Sequence, residues 1–82
     1  SPRTIREKLL SYLSSQARRS RSSAFTLPFS RGQLAEYLAV DRSAMTVELY
    51  KLKDEGIIWF EKRKFRLLSP DFKSQDSPRP PV

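Results

Sequence analysis

An α+β fold, three helices followed by a small antiparallel β-hairpin, is what this chain of 82 residues predicts, and three observations carry it. Apolar residues recur at helical spacing in three separate stretches. The second and third stretches are separated only by Ala39, Val40 and Asp41, so their helices must cross steeply, as in a helix-turn-helix. Two β-prone runs joined by charged residues follow the last helix, the pattern of a hairpin or wing.

The first helix is expected over residues 1–19, with Ile5, Leu9, Tyr12 and Leu13 on one face, at the i, i+4, i+7, i+8 spacing of a buried stripe. Its start carries two signals: Pro2 suits a first helical position, and Thr4 with Glu7 offers a capping box one turn later. A start so close to a helix boundary suggests a piece cut at a domain edge. Residues 20–23 then read as a Ser- and Arg-rich loop, and residues 24–27 as a short extended piece stopped by Pro28.

Ser30 and Gln33 form a second capping box, with Phe29 and Leu34 at the positions of a hydrophobic staple, opening a helix over residues 31–38. Asp41 caps the third helix, where Val40 and Met45 repeat the staple. That helix buries Met45, Leu49 and Leu52 and ends at Gly56, which suits a left-handed cap, with Leu52 and Ile57 at the touching positions of a Schellman motif. The strands are expected at residues 57–60 and 65–68, with Glu61, Lys62, Arg63 and Lys64 as a cationic connection. Residues 69–82 turn Pro-, Ser- and charge-rich with little to bury, the composition of a disordered tail. One domain over residues 1–68 therefore holds the fold, with the helix-turn-helix at about 30–55 and the wing at 57–68.

A domain of this size buries only roughly 60 to 65 % of the surface its unfolded chain exposes, so function belongs on the surface rather than in a deep cavity. The net charge of +7 points to an anionic partner. Two clusters carry much of it: Arg18, Arg19 and Arg21, and Lys62, Arg63, Lys64 and Arg66. Between them the chain is nearly neutral. The absence of Cys and His removes disulfides, thiolate chemistry, the usual zinc sites and imidazole acid-base catalysis. With no Gly-rich phosphate loop or nucleophile motif either, the reading is a binding protein and not an enzyme. No run approaches the roughly 18 apolar residues of a membrane span, and no signal-peptide pattern opens the chain, so a cytoplasmic setting is expected.

A duplex reader needs cations along phosphates and a slim element for the major groove. Helical phase puts Ser43, Val47, Tyr50 and Asp54 opposite the buried stripe of the third helix, with Thr46 at the border and Arg42 in the first turn. Solvated helix faces favour Lys and Glu, so this weakly charged face points to contact. Lys62, Arg63 and Lys64 on a protruding turn are expected on phosphates. So are Tyr50 and Lys51 further along the helix, and Ser30 with Arg31, where a helix N-terminus adds free backbone N–H groups.

The run LPFSRGQLAEYLAVDRSAMTVELYKLKDEGIIWFEKRKFRLL resembles the C-terminal DNA-binding domain of the Crp-Fnr transcription regulators, over about residues 25–68. The resemblance implies a bacterial, cytoplasmic and dimeric regulator that binds a palindromic double-stranded operator. It implies further a separate N-terminal sensor domain, joined by a dimerisation helix, with an effector such as a cyclic nucleotide bound there and no cofactor in this domain. RNA polymerase is a further expected partner. Position by position, Ser30 and Arg31 match the family's phosphate contacts, and Arg42, Ser43, Thr46 and Val47 stand where it reads base edges. Ser43 and Val47 replace the Glu and Arg of many members, which implies a half-site unlike the best-known ones. Ala39 replaces the commoner Gly of the turn.

Two rival functions stay open on the residues alone. A winged helix also serves as a protein-interaction or RNA-binding module, and for RNA the stacking candidates are Tyr50, Trp59 and Phe60. An anionic membrane surface would want a helix that combines a basic and a strongly apolar face, which no segment provides.

Overall fold

The computed structural model describes residues 3–68, in the order α1 (Ile5–Ser20), β1 (Ala24–Thr26), α2 (Arg31–Leu38), α3 (Arg42–Asp54), β2 (Ile58–Glu61) and β3 (Lys64–Leu67). Three helices on a small antiparallel sheet make this the winged helix-turn-helix that the sequence predicts. The tail expected over residues 69–82 lies outside the described residues.

Of the two start signals for α1, the capping box operates. Thr4 Oγ1 accepts from the Glu7 N–H at 3.1 Å while the Glu7 carboxylate accepts from the Thr4 N–H at 2.8 Å. The helix therefore opens at Ile5, and Pro2 lies outside the described residues. A reciprocal pair satisfies two otherwise orphaned N–H groups, which proline at a first position cannot do. At α2 the same device recurs: Ser30 Oγ accepts from Gln33 N–H at 3.3 Å and Gln33 Oε1 from Ser30 N–H at 2.9 Å. Asp41 caps α3 by accepting from Ala44 N–H at 2.9 Å.

All three helices end in the same Schellman hydrogen-bond pattern. In α3 the Ile57 N–H reaches Leu52 O and the Gly56 N–H reaches Lys53 O, both at 3.0 Å, with Gly56 at φ +76°. In α2 Val40 N–H goes to Ala35 O at 3.0 Å and Ala39 N–H to Glu36 O at 3.1 Å, with Ala39 left-handed at φ 59°. In α1 the pattern is Ser22 to Ala17 and Arg21 to Arg18, with Arg21 at φ 57°. Only α3 uses glycine for the left-handed position; α1 and α2 carry a Cβ there, at a cost of about 1 kcal/mol or more each.

The sheet corrects the predicted wing in two ways. It has three strands, not two, in the order β1-β3-β2, with Ala24 facing Arg66 and Thr26 facing Lys64. The ladder continues beyond β1 at both ends, where Leu67 N–H donates to Ser23 O and Leu27 N–H to Arg63 O, each at 2.8 Å. Second, both hairpin strands are shifted by one residue. Ile57 spends its N–H on the cap of α3, so β2 begins at Ile58. Glu61 and Lys64 pair, so the turn is only Lys62 and Arg63, with Lys62 at φ 56°.

Alternation along β2 buries Ile58 and Phe60 and turns Trp59 and Glu61 outward. With Phe65 they close a core of Leu9, Tyr12 and Leu13 from α1, Leu34 from α2, and Met45, Leu49 and Leu52 from α3. Each such side chain contributes roughly 1.5–3 kcal/mol by leaving water. A row of rings, Phe25, Phe65 and Phe60, crosses the inner face in register, with centroids 6.4 Å and 5.4 Å apart. An ion-pair cluster joins α1 to α3: Arg6 donates to both carboxylate oxygens of Glu55 at 2.9 Å and 2.6 Å, and from Nε to Glu48 at 3.2 Å. The same pairs hold the Arg6 pKa above its ordinary value and that of Glu55 below the usual carboxylate range.

Candidate nucleic-acid interface

With Met45, Leu49 and Leu52 wholly buried, the phase of α3 is fixed. Ser43 and Tyr50 are exposed on its far side together with Val47; Val47 and Tyr50 keep 54 % of their surface. Arg42 is exposed in the first turn and no carboxylate among the described residues pairs with it. Thr46 is half-buried and its Oγ1 donates to Arg42 O at 3.0 Å. Its hydroxyl proton is thus spent, which leaves Thr46 its methyl group and an oxygen that can only accept.

Two flanks bound this stripe. On the flank toward α1 stands Lys51, 3.9 Å from the Glu48 carboxylate that Arg6 also holds, and largely exposed. Toward the wing, an open cleft of about 380 Å³ brings together Arg31, Arg42, Thr46, Tyr50 and Lys62. Five of the eleven residues singled out by sequence thus meet in one hollow. Ser43 and Val47 lie beside it on the face of α3, and Arg63 continues the turn from Lys62. Lys64 instead stands on the outer face of the sheet, cross-strand from Glu61.

The N-terminus of α2 is less open than its sequence suggests. The Ser30 and Gln33 N–H groups are consumed by the capping box, and the Ser30 oxygen accepts within it. The N–H groups of Arg31 and Gly32 remain, as does the Ser30 hydroxyl proton. The Arg31 side chain does not extend into solvent: its guanidinium carbon lies 5.0 Å from the Phe60 ring centre and 5.1 Å from that of Phe65. Burial pushes its pKa down, and nearby Tyr50 offsets this only in part.

Lys53 escaped the sequence reading. Its Nζ donates to Phe60 O at 3.4 Å and sits 5.1 Å from the centre of the Phe60 ring, lining the same cleft. One signal was available, the i, i+3 step from Tyr50 to Lys53 on one flank of the helix; the ring it rests on comes from another element. The two basic clusters also part company. Arg18, Arg19 and Arg21 lie where α1 ends and the chain enters β1 at Ala24, which pairs with Arg66, while the cationic turn is at the other end of the sheet beyond Thr26 and Lys64. From that turn Lys62 reaches the cleft beside α3. Of the three candidate stacking aromatics, Phe60 is 6 % exposed, Tyr50 stands edge-on to it at 5.3 Å, and Trp59 faces the opposite side of the sheet.

Among the described residues no group of three acidic side chains is placed to hold a metal ion, and no helix is long and apolar enough to cross a membrane. Compared with known families, residues 7–72 match the Crp-like helix-turn-helix domain. No curated protein matches the chain.

Proposed function

Since the chain belongs to the family of Crp-like helix-turn-helix domains, and so to the DNA-binding parts of transcription regulators, we propose that it reads a specific duplex half-site with α3 in the major groove and the wing turn on the backbone. The observation that carries this reading is the weakly charged outward stripe of α3, set between cations on both flanks. Arg42, Ser43, Thr46 and Val47 take the base edges. Arg42 suits guanine O6 and N7, Val47 a thymine methyl, and Thr46, with its proton spent, a thymine methyl or an amino donor on adenine or cytosine. Ser30, Arg31, Tyr50, Lys51, Lys62, Arg63 and Lys64 take phosphates, which position the domain without specifying sequence.

The same reading makes the chain the C-terminal part of a cytoplasmic bacterial regulator that uses equilibrium binding and no catalysis. A second protomer reads the other half of a palindrome, RNA polymerase is a downstream partner, and a cyclic nucleotide or similar effector acts through a separate sensor domain. An RNA-stacking role is poorly served, because Trp59 and Tyr50 do not share a face and Phe60 is buried. Selection of bound duplexes from a random pool tests the proposal. An enriched half-site supports it; a pool that stays random after repeated rounds overturns it.

A further inference from the structure

The cleft between α3 and the wing is lined by Arg31, Arg42, Lys53 and Lys62, and two of these cations share one aromatic ring. Arg31 comes from α2 and Lys53 from α3, yet both sit on the same ring, 5.0 Å and 5.1 Å from the centre of Phe60. Like charges converging on one ring repel each other, and the ring's negative face compensates only partly. Arg31 is half-buried, stacks also on Phe65, and among the described residues no carboxylate or carbonyl accepts from its guanidinium. Lys53 uses one N–H on Phe60 O at 3.4 Å, leaving two donors. Lys62 and Tyr50 line the same hollow; its one carboxylate, Glu61, faces Lys64 across the hairpin. Burial presses the Arg31 pKa down, and no carboxylate offsets it.

We propose that this cleft is a built site for a single phosphate group, gripped by Arg31 and Lys53, which share the Phe60 ring as their floor. A planar fork and an ammonium arriving from different elements suit a tetrahedral group that offers oxygens in several directions. In a cleft of about 380 Å³ such a group fits with water to spare. Its source is a backbone phosphate of the duplex, a step that rests on the proposed function, or free inorganic phosphate, which does not. The floor makes this phosphate different from those along the wing turn. Arg31 and Lys53 are held in place before the anion arrives, whereas Lys62 and Arg63 are exposed and must be ordered by it.

Two arms separate the sources. In the first, thermal unfolding of the chain is followed with rising inorganic phosphate against chloride at matched ionic strength, for the wild type, Arg31→Gln and Lys53→Met. Phosphate-specific stabilisation that both substitutions abolish supports the site. In the second, half-site duplexes carrying one uncharged methylphosphonate linkage at each position in turn are titrated with the same three proteins. One linkage should weaken the wild type about tenfold and leave Lys53→Met no weaker than it already is, as expected when both changes delete one charge-assisted contact. Because Lys53→Met keeps the apolar stem, it tests the contact with the fold intact, and denaturation of the variant verifies this. Phosphate stabilisation without any duplex binding sustains the site and refutes the DNA-reading proposal. Duplex binding in which no linkage couples to Lys53, with no phosphate stabilisation, overturns the site and leaves that proposal standing.

Discussion

At the scale of single residues, the left-handed positions separate folding from binding. Ala39 at φ 59° and Lys62 at φ 56° both carry a Cβ in a region that costs an L-residue about 1–2 kcal/mol. Glycine removes that cost and returns part of it as unfolded-chain entropy, so Ala39→Gly should stabilise the domain by about 0.5–1 kcal/mol. Chemical denaturation measures this, and a loss of stability would mean that the junction does not take this conformation. Lys62→Gly should do two opposite things. It relaxes the turn and raises stability by a similar amount, while it removes a phosphate contact and flattens the dependence of log K on log salt by about one unit. Stability and affinity moving in the same direction would argue against the role given to Lys62. At this scale the sequence was legible wherever a signal is local. The Thr4–Glu7 and Ser30–Gln33 boxes and the Leu52–Ile57 cap need only neighbours within five positions, and each forms. The strand edges were off by one residue because Ile57 can serve either the cap of α3 or β2, and only the assembled molecule decides.

Elements are held by contacts that sequence periodicity sees only from one side. The stripe Met45, Leu49, Leu52 revealed which face of α3 is buried but not what it meets. Leu49, wholly buried at the centre, should cost roughly 2–5 kcal/mol when cut to alanine. A change below about 0.5 kcal/mol would show the phase of α3 to be wrong and would remove the basis for its groove-facing residues. Against α1, the fastening is ionic. Glu55 is held below the usual carboxylate range by hydrogen bonds from Arg6. A depressed folded-state pKa gives stability that is present above the unfolded value and is lost as pH falls through the folded one. Urea denaturation between about pH 5 and pH 3 should therefore show a steeper acid loss for the wild type than for Glu55→Gln. Equal slopes would mean that the Arg6 pairing adds nothing in solution, as for many surface pairs. None of this clamp was legible, since Arg6 and Glu55 lie 49 residues apart. For the same reason β1 went unpaired in the sequence reading: its partner β3 is remote, and three residues carry no periodicity of their own.

For the whole molecule, what matters is where the positive charge sits once the chain has folded. The sequence showed two basic clusters bracketing a neutral unit, and folding splits the second of them: Arg66 faces Ala24 at the end of the sheet where Arg18, Arg19 and Arg21 lie, while the turn at the other end brings Lys62 beside α3. The candidate site was legible in its residues and less so in its floor. Arg31, Arg42, Thr46, Tyr50 and Lys62 do converge, whereas Lys53 and the Phe60 ring it shares with Arg31 became visible only when α2, α3 and β2 met. With roughly 3 to 5 phosphates engaged by one copy, log K should fall with log salt at a slope of about −0.9 per phosphate.

The central claim is that the outward stripe of α3 chooses the sequence while its surroundings supply affinity. Sequencing the duplexes selected by the wild type, Arg42→Ala and Val47→Ser tests it most directly. Arg42→Ala should relax one guanine position of the half-site, a loss of about 1–3 kcal/mol of discrimination, and Val47→Ser should erode a T·A preference at one step. Affinity for random duplex should stay nearly unchanged for Val47→Ser. Three proteins that enrich the same motif to the same depth would contradict the claim, because α3 would then not be reading bases.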